Sequence, residues 1–273
     1  MTAHSAIDPD LLFFDRLTNR YLLRAELVAR TGFRVGRGRD FTSALTDLPQ
    51  LDLKDEKGNR RVLVPGSTWK GILRSGAERL LRAIEPRGAC DPFHDPCVPE
   101  LTSKQKKELV ALTRLEQVME ARRRVQEHVC LACATFGAPG LASHVRTADC
   151  VLDASIDVRD GVAMDRDRGR ASDRLKYDFE VVEPGTPVHL EVHLENATPW
   201  QVGLVLAMVD DLDAGFVRVG GFGSRGLGWL EVRSREVQEQ SLADVVARRP
   251  GQIHRGDDAL APFVQALDRI LEA

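Results

Sequence analysis

The chain has 273 residues, 43% of them hydrophobic and 29% charged, with a formal net charge of −3. That composition excludes a disordered polymer and supplies enough apolar mass for one large core or two small ones. No run approaches the roughly 20 apolar residues of a membrane span, and the start, Met1-Thr2-Ala3-His4-Ser5, has neither the basic nor the apolar region of a secretory signal, so a cytoplasmic protein with no membrane partner is expected.

The charge is unevenly distributed. From Arg16 to Arg82 there are 15 Lys/Arg against 7 Asp/Glu, and the remainder carries 23 against 34. A basic third on an acidic remainder suits a face that meets a polyanion, with solvated basic helix faces as the plain alternative.

In chain order, residues 21–29 read as a strand in which Ala25, Leu27 and Ala29 alternate with charged Arg24 and Glu26. A basic loop follows, with Arg34, Arg37, Arg39 and Asp40. Residues 61–64 make a second strand, stopped by Pro65-Gly66. Ser67 is expected as the N-cap of a helix over 68–84, whose Trp69, Ile72, Leu73, Ala77, Leu80 and Leu81 recur at helical spacing. Lys70 and Arg74 fall off that stripe, four residues apart and on one face, beside a helix start that favours phosphate. Lys70 precedes Gly71, which excludes a Walker A loop.

Residues 86–140 read as an insertion: a Pro-rich loop, a charged helix over 104–129, and the CxxC of Cys130 and Cys133. With Cys90, Cys97 and Cys150 the cysteines number five, an odd count that speaks against a disulfide framework. Cys90, Cys97, Cys130 and Cys133, as two pairs, fit the closed shell of a structural zinc, which leaves no position for a reacting water. His94 and His128 are close enough in sequence to replace one thiolate. A redox pair and merely buried thiols are the competing readings.

Residues 149–157 read as a strand, 159–176 as a polar excursion of mixed charge, and 177–183 as strand again. Over 187–196, Val188, Leu190, Val192 and Leu194 line one face, and 200–213 form an amphipathic helix. Strands at 216–219 and 227–232 flank Gly220-Gly221-Phe222-Gly223-Ser224-Arg225-Gly226, and a helix over 258–271 closes the chain. The glycine run has the letters of a dinucleotide fingerprint, but the strand expected after it excludes that cofactor. Its N–H groups and Arg225 suit phosphate oxygens instead, an ordinary tight hairpin being the alternative. Two strand–helix–strand units point to an α/β (α+β) ferredoxin-like sandwich with a large insertion.

Three motifs stand in a telling order: Thr31-Gly32-Phe33-Arg34-Val35-Gly36, then Pro65-Gly66-Ser67 with Lys70-Gly71 and Arg74, then Gly220-Gly221 with Gly223-Ser224-Arg225-Gly226-Leu227-Gly228. Together they resemble the RAMP (repeat-associated mysterious protein) superfamily over roughly residues 20–235. The likeness is in particular to the repeated backbone subunit of type III CRISPR effector complexes, and the stretch from Asp173 to Val182 is similar to the end of that family's thumb hairpin.

The resemblance implies one RRM-like RAMP domain over 1–273, with a zinc knuckle in the 86–140 insertion, a thumb hairpin at 159–176 and a helical tail at 236–273. It implies CRISPR RNA and complementary target RNA as partners, with other type III subunits and further copies of the chain in a filament. It puts RNA contacts at Arg34, Arg37, Ser67, Lys70, Arg74, Gly223 and Arg225, and makes Met164 the wedge between bases. Many members of the family cut the target with an aspartate in the loop before the Gly-Ser helix. Asp40, Asp47, Asp52 and Asp55 stand there, and Asp47-Leu48-Pro49 fits the family's placement before a proline. That role implies Mg²⁺-assisted attack by a ribose 2′-OH. A non-catalytic scaffold of the same fold is the alternative. A guide-processing nuclease ranks lower, since no histidine lies between Thr31 and Pro65, and a zinc-stabilised module without RNA would make the basic third accidental.

Overall fold

Tyr21, Leu23, Ala25, Leu27 and Ala29 give β1 (Asn19–Ala29) one apolar and one charged face. In the computed structural model, which describes residues 7–38, 46–83, 88–98, 103–110, 112–165, 167 and 170–272, that strand lies at the centre of a sheet. After it come β2 (Asp52–Lys54), β3 (Arg60–Val64), α1 (Gly66–Leu81), α2 (Ser103–Val110), α3 (Arg114–His128), α4 (Leu131–Phe136), β4 (Val145–Thr147) and β5 (Cys150–Leu152). The chain continues through β6 (Ile156–Asp165), β7 (Arg170–Val182), β8 (Pro187–Glu195), α5 (Pro199–Asp213), β9 (Leu230–Ser241), α6 (Leu242–Val246), β10 (Gln252–Arg255) and α7 (Asp257–Leu271).

The main sheet runs β10-β9-β1-β8-β4, antiparallel throughout. Without β10 this is the ferredoxin-like order, made by interleaving the units β1-α1-β4 and β8-α5-β9. The core forms where the apolar sheet face meets α1 and α5, with Leu23, Leu27, Leu190, Leu194, Leu204 and Trp69 buried. Each such Leu contributes about 1.5–3 kcal/mol by leaving water. α7 lies close against α5 because Gly203 has no Cβ to meet the carbonyl oxygen of Phe263. The other sheet face pairs Arg20 with Glu195 and Arg24 with Glu191 and Glu236.

β2, β3 and β5 form a small second sheet. β6 and β7 form a ribbon from Ile156↔Val182 out to Asp165↔Arg170, longer than the expected 159–176 excursion. Val181 and Val182 anchor its base in the core, while Val158, Val162 and Met164 on β6 are exposed.

Several local expectations are corrected. Ser67 is not the N-cap: α1 starts at Gly66 after Pro65, and the Gly66 N–H donates to Asp149 Oδ1 at 2.6 Å. Pro65 carries the fixed φ of a helix entry, and a distant carboxylate does the capping. The 104–129 helix is two helices, because Thr113 and Glu116 form a capping box that starts α3 afresh. The 149–157 strand divides into β5 and the start of β6. Residues 216–219 are not a strand, since Gly215 (φ 75) and Gly220 (φ 78) turn the chain at both ends. The last expected strand starts at Leu230 rather than 227 and runs to Ser241, so the 236–273 tail begins as sheet and carries α6 and β10 before its closing helix. Gln238 and Gln240 hold that polar stretch by donating to the carbonyls of Pro250 and Arg249. Among the described residues no helix is long and apolar enough to cross a membrane.

Candidate nucleic-acid interface and metal centre

The loop after α1 carries Cys90 and Cys97, and the start of α4 carries Cys130 and Cys133. Their four Sγ atoms lie within 4.8 Å of one another, with Cys90 and Cys133 at 3.6 Å. Tetrahedral zinc with its Zn–S bonds holds sulfurs about 3.8 Å apart, so the group needs little adjustment to close on an ion. Cys130 is the N-cap of α4, its Sγ accepting the Cys133 N–H at 3.4 Å. Contacts from Cys133 and Cys97 push the Cys130 thiol down, and the contact with Cys130 pushes those of Cys97 and Cys133 up. Metal-bound cysteines are thiolates, so an ion closing this cluster would displace the thiol protons.

Arg74 supports this centre. Its guanidinium reaches Glu78 at 2.7 Å, the Gly137 carbonyl at 3.0 Å and Cys133 Sγ at 3.8 Å. His94 instead turns to Asp91 at 2.9 Å, and His128 is exposed at the end of α3. Neither joins the four sulfurs. Cys150 is buried apart from them in β5, where burial pushes its thiol up. Four converging thiols are compatible with a structural zinc and leave no open position for catalysis.

A second site grows from the glycine run. The Gly221 N–H donates to the Arg34 carbonyl at 2.8 Å and the Gly228 N–H to Gly32 at 2.9 Å, laying the run against the 31–36 turn. A Cβ at Gly220 would overlap the Arg34 oxygen. Phe222 holds φ 62, a left-handed conformation rare for a bulky residue. There its ring meets Phe179 at 4.9 Å and Tyr177 at 6.4 Å, two β7 residues that share a face by strand alternation. Arg225 stacks 4.8 Å from the Phe222 centroid and donates to the Tyr177 hydroxyl at 2.5 Å. Half-buried rings beside an exposed guanidinium offer stacking surface for bases and charge for phosphates.

Arg34 works underneath this platform. It is only 8% exposed, and it donates to the carbonyls of Leu48 and Pro49 at 3.3 Å each. Gln50 accepts from the Val35 N–H at 3.0 Å and donates its own N–H to Glu180 at 2.8 Å. Burial works against the Glu180 charge, yet Arg60 and the Gln50 N–H hold its carboxyl below the usual range. The 46–50 segment is thereby fixed between the 31–37 turn and the base of β7. At its head, the Asp47 N–H donates to Asp178 Oδ1 at 2.6 Å, and the Asp178 N–H donates to Asp47 Oδ2 at 3.2 Å. Each carboxylate keeps a second oxygen, and among the described residues neither carries an ion pair.

The other loop aspartates are engaged. Asp52 pairs with Arg60 at 2.6 Å and Arg37 at 3.8 Å, and Asp55 closes the 55–59 turn and meets Arg61. Asp40 lies outside the described residues. Arg34, Gly223, Arg225 and Asp47 are gathered around the glycine run and the base of β7. Ser67, Lys70 and Arg74 lie on α1, and no hydrogen bond or ion pair shown among the described residues links them to that group. Lys70 is half-buried, which lowers its pKa, and Met164 lies out along the ribbon. Sequence reasoning missed Tyr177, Phe179, Phe222, Asp178 and Glu180. The readable signals were a Phe inside a glycine run and a Tyr-x-Phe pair on one strand face.

The family model described as RAMPs, RAMP superfamily, matches residues 26–231, from within β1 to the second residue of β9. No curated protein matches the chain.

Proposed function

We propose, since the chain belongs to the RAMP superfamily, that it is the guide-RNA-binding backbone subunit of a type III CRISPR effector complex. Family membership itself brings a CRISPR-associated RNA-binding role shared with other subunits. The observation that carries the finer reading is the platform of Phe222, Tyr177, Phe179 and Arg225, where the glycine run, the 31–36 turn and the thumb base converge. Guide RNA would lie over these rings, and the β6–β7 ribbon with exposed Val162 and Met164 would reach into the guide–target duplex. Repeated copies along one guide give the filament.

The paired Asp47 and Asp178 favour a second reading, in which the subunit also cuts the target. The free oxygen of Asp178 would hold Mg²⁺, which when bound neutralises phosphate charge. Asp47 would take the proton of a ribose 2′-OH as that oxygen bonds to the adjacent phosphorus, giving a 2′,3′-cyclic phosphate, while the departing 5′-oxygen takes a proton from solvent water. Asp178 would hold Asp47 in place.

Complex purified with its sibling subunits should contain short RNA of uniform length. Phe222→Ala with Arg225→Ala should weaken binding of that RNA by about tenfold or more, measured by filter binding, as loss of stacking and a phosphate contact predicts. RNA-free complex, or unchanged affinity in the double variant, would overturn the reading.

A further inference from the structure

Trp229 stands just before β9 with every polar atom fixed. Its indole N–H donates to the Asp213 carbonyl at 2.8 Å, its backbone N–H to Thr31 Oγ1 at 3.1 Å, and its carbonyl accepts from Arg30 at 2.9 Å. Two guanidiniums lie over its ring, Arg30 at 4.0 Å and Arg218 at 4.9 Å from the centroid. Among the described residues neither has a carboxylate partner, whereas Arg20, Arg24, Arg60, Arg61 and Arg235 all do. Arg218 Nη1, a buried atom, has no hydrogen-bond acceptor among the described residues, while Arg30 is exposed. Two like charges drawn to one ring without a counter-charge make an electrostatic vacancy for an anion.

The surroundings say which anion. The glycine run touches this cluster as well, for a Cβ at Gly223 would sit 3.1 Å from Arg218 Cβ. Phe216 follows Gly215, which abuts the indole, and is 76% exposed. Uncompensated guanidiniums with an open aromatic ring fit a phosphodiester and its base together, the pattern of a single-stranded nucleic acid.

We propose that Arg30, Arg218 and Trp229, with Phe216, form a second RNA subsite, separate from the Phe222 platform and joined to it by the glycine run. It rests on the RNA-binding reading above. Trp69 and Trp200 are buried, at 0% and 5% exposure, so ligand at this subsite is reported by the fluorescence of Trp229.

The test uses the full-length protein, titrated with a single-stranded uridine oligonucleotide, with uridine monophosphate and with inorganic phosphate. The oligonucleotide should change the tryptophan emission, and Trp229→Phe should remove that signal while anisotropy still records binding. Arg30→Gln with Arg218→Gln should flatten the salt dependence by about 1.4 in log–log slope, the loss of two phosphate contacts on a single strand. If the double variant fails to fold, exposed Arg30→Gln alone should remove about half of that. Wild-type protein that binds the oligonucleotide, with slope and emission untouched by these changes, would overturn the subsite and leave the RNA reading standing. Saturation of the emission change by inorganic phosphate or the mononucleotide at equal concentration would reassign it to a small anion. A wild type that binds no oligonucleotide, in a complex without RNA, would remove the RNA reading and the subsite with it.

Discussion

Cys130→Ser or Cys133→Ser should give insoluble or partly unfolded protein, and freshly purified wild type should contain about one zinc per chain. The four sulfurs tie the loop after α1 to the start of α4, and Leu131, Ala132, Ala134 and Phe136 of α4 are buried in the main core. Losing the ion would release both ends of the insertion and leave thiols crowded among apolar side chains. Zinc binding to such sites is worth about 10–16 kcal/mol in small peptides, as large as the whole stability of a typical domain. Cys150→Ser, which touches none of the four, should cost only about 1–3 kcal/mol for burying a hydroxyl. Elemental analysis answers the first part and thermal unfolding the second. Metal-free protein that melts like wild type would end the zinc assignment.

Asp47→Asn should stop target cutting while guide and target binding stay within about twofold, because only a contribution to the transition state is removed. Loss of a general base costs about 10²–10⁴ in rate. Asparagine suits the test because its oxygen still accepts the Asp178 N–H, and the backbone N–H of residue 47 still donates to Asp178. The loop therefore keeps its clip and loses only the charge. Wild-type cutting should need a divalent cation that EDTA removes. Asp52→Asn and Asp55→Asn should loosen the β2–β3 hairpin, through Arg60 and the 55–59 turn, without this effect on rate. Assembled complex carrying Asp47→Asn that cuts at the wild-type rate would refute the assignment. Should Asp40→Asn be the inactivating change, the enzyme reading would stand with a different residue. A wild type that never cuts leaves the scaffold.

Much of the frame was legible because apolar alternation and helical spacing were strong where burial is one-sided. β1, β8 and the stripe of Trp69, Leu73, Ala77 and Leu81 on α1 follow this rule; α5, expected to be amphipathic, is instead buried nearly all round, with α7 packed against it. The clustering of Cys90, Cys97, Cys130 and Cys133 was legible from their spacing. The second half of β9 was not, because only Val237 is buried and its polar neighbours bond to distant carbonyls. Arg34 misled for a related reason: in a loop rich in Gly and Arg it resembles its exposed neighbour Arg37, and only the fold shows it buried on the carbonyls of Leu48 and Pro49. The cap on α1 was hidden likewise, since Asp149 lies far along the chain from Gly66. The aromatic platform joins residues on two elements, and each ring alone reads as ordinary core.

The likeness to the family stops at residue 231, two residues into a strand that continues to Ser241. Residues 234–241 pair with Asn19–Glu26, the greater part of the central strand. A protein cut after residue 231 would leave that stretch as an unprotected sheet margin beside Tyr21 and Leu23, its amides free to recruit another molecule. In the intact chain the margin is instead closed by β9 and then by β10, a four-residue strand bearing His254 and Arg255, too short and polar to seed further pairing. The segment beyond the shared family region thus covers a sheet edge that would otherwise be open to pairing with another molecule.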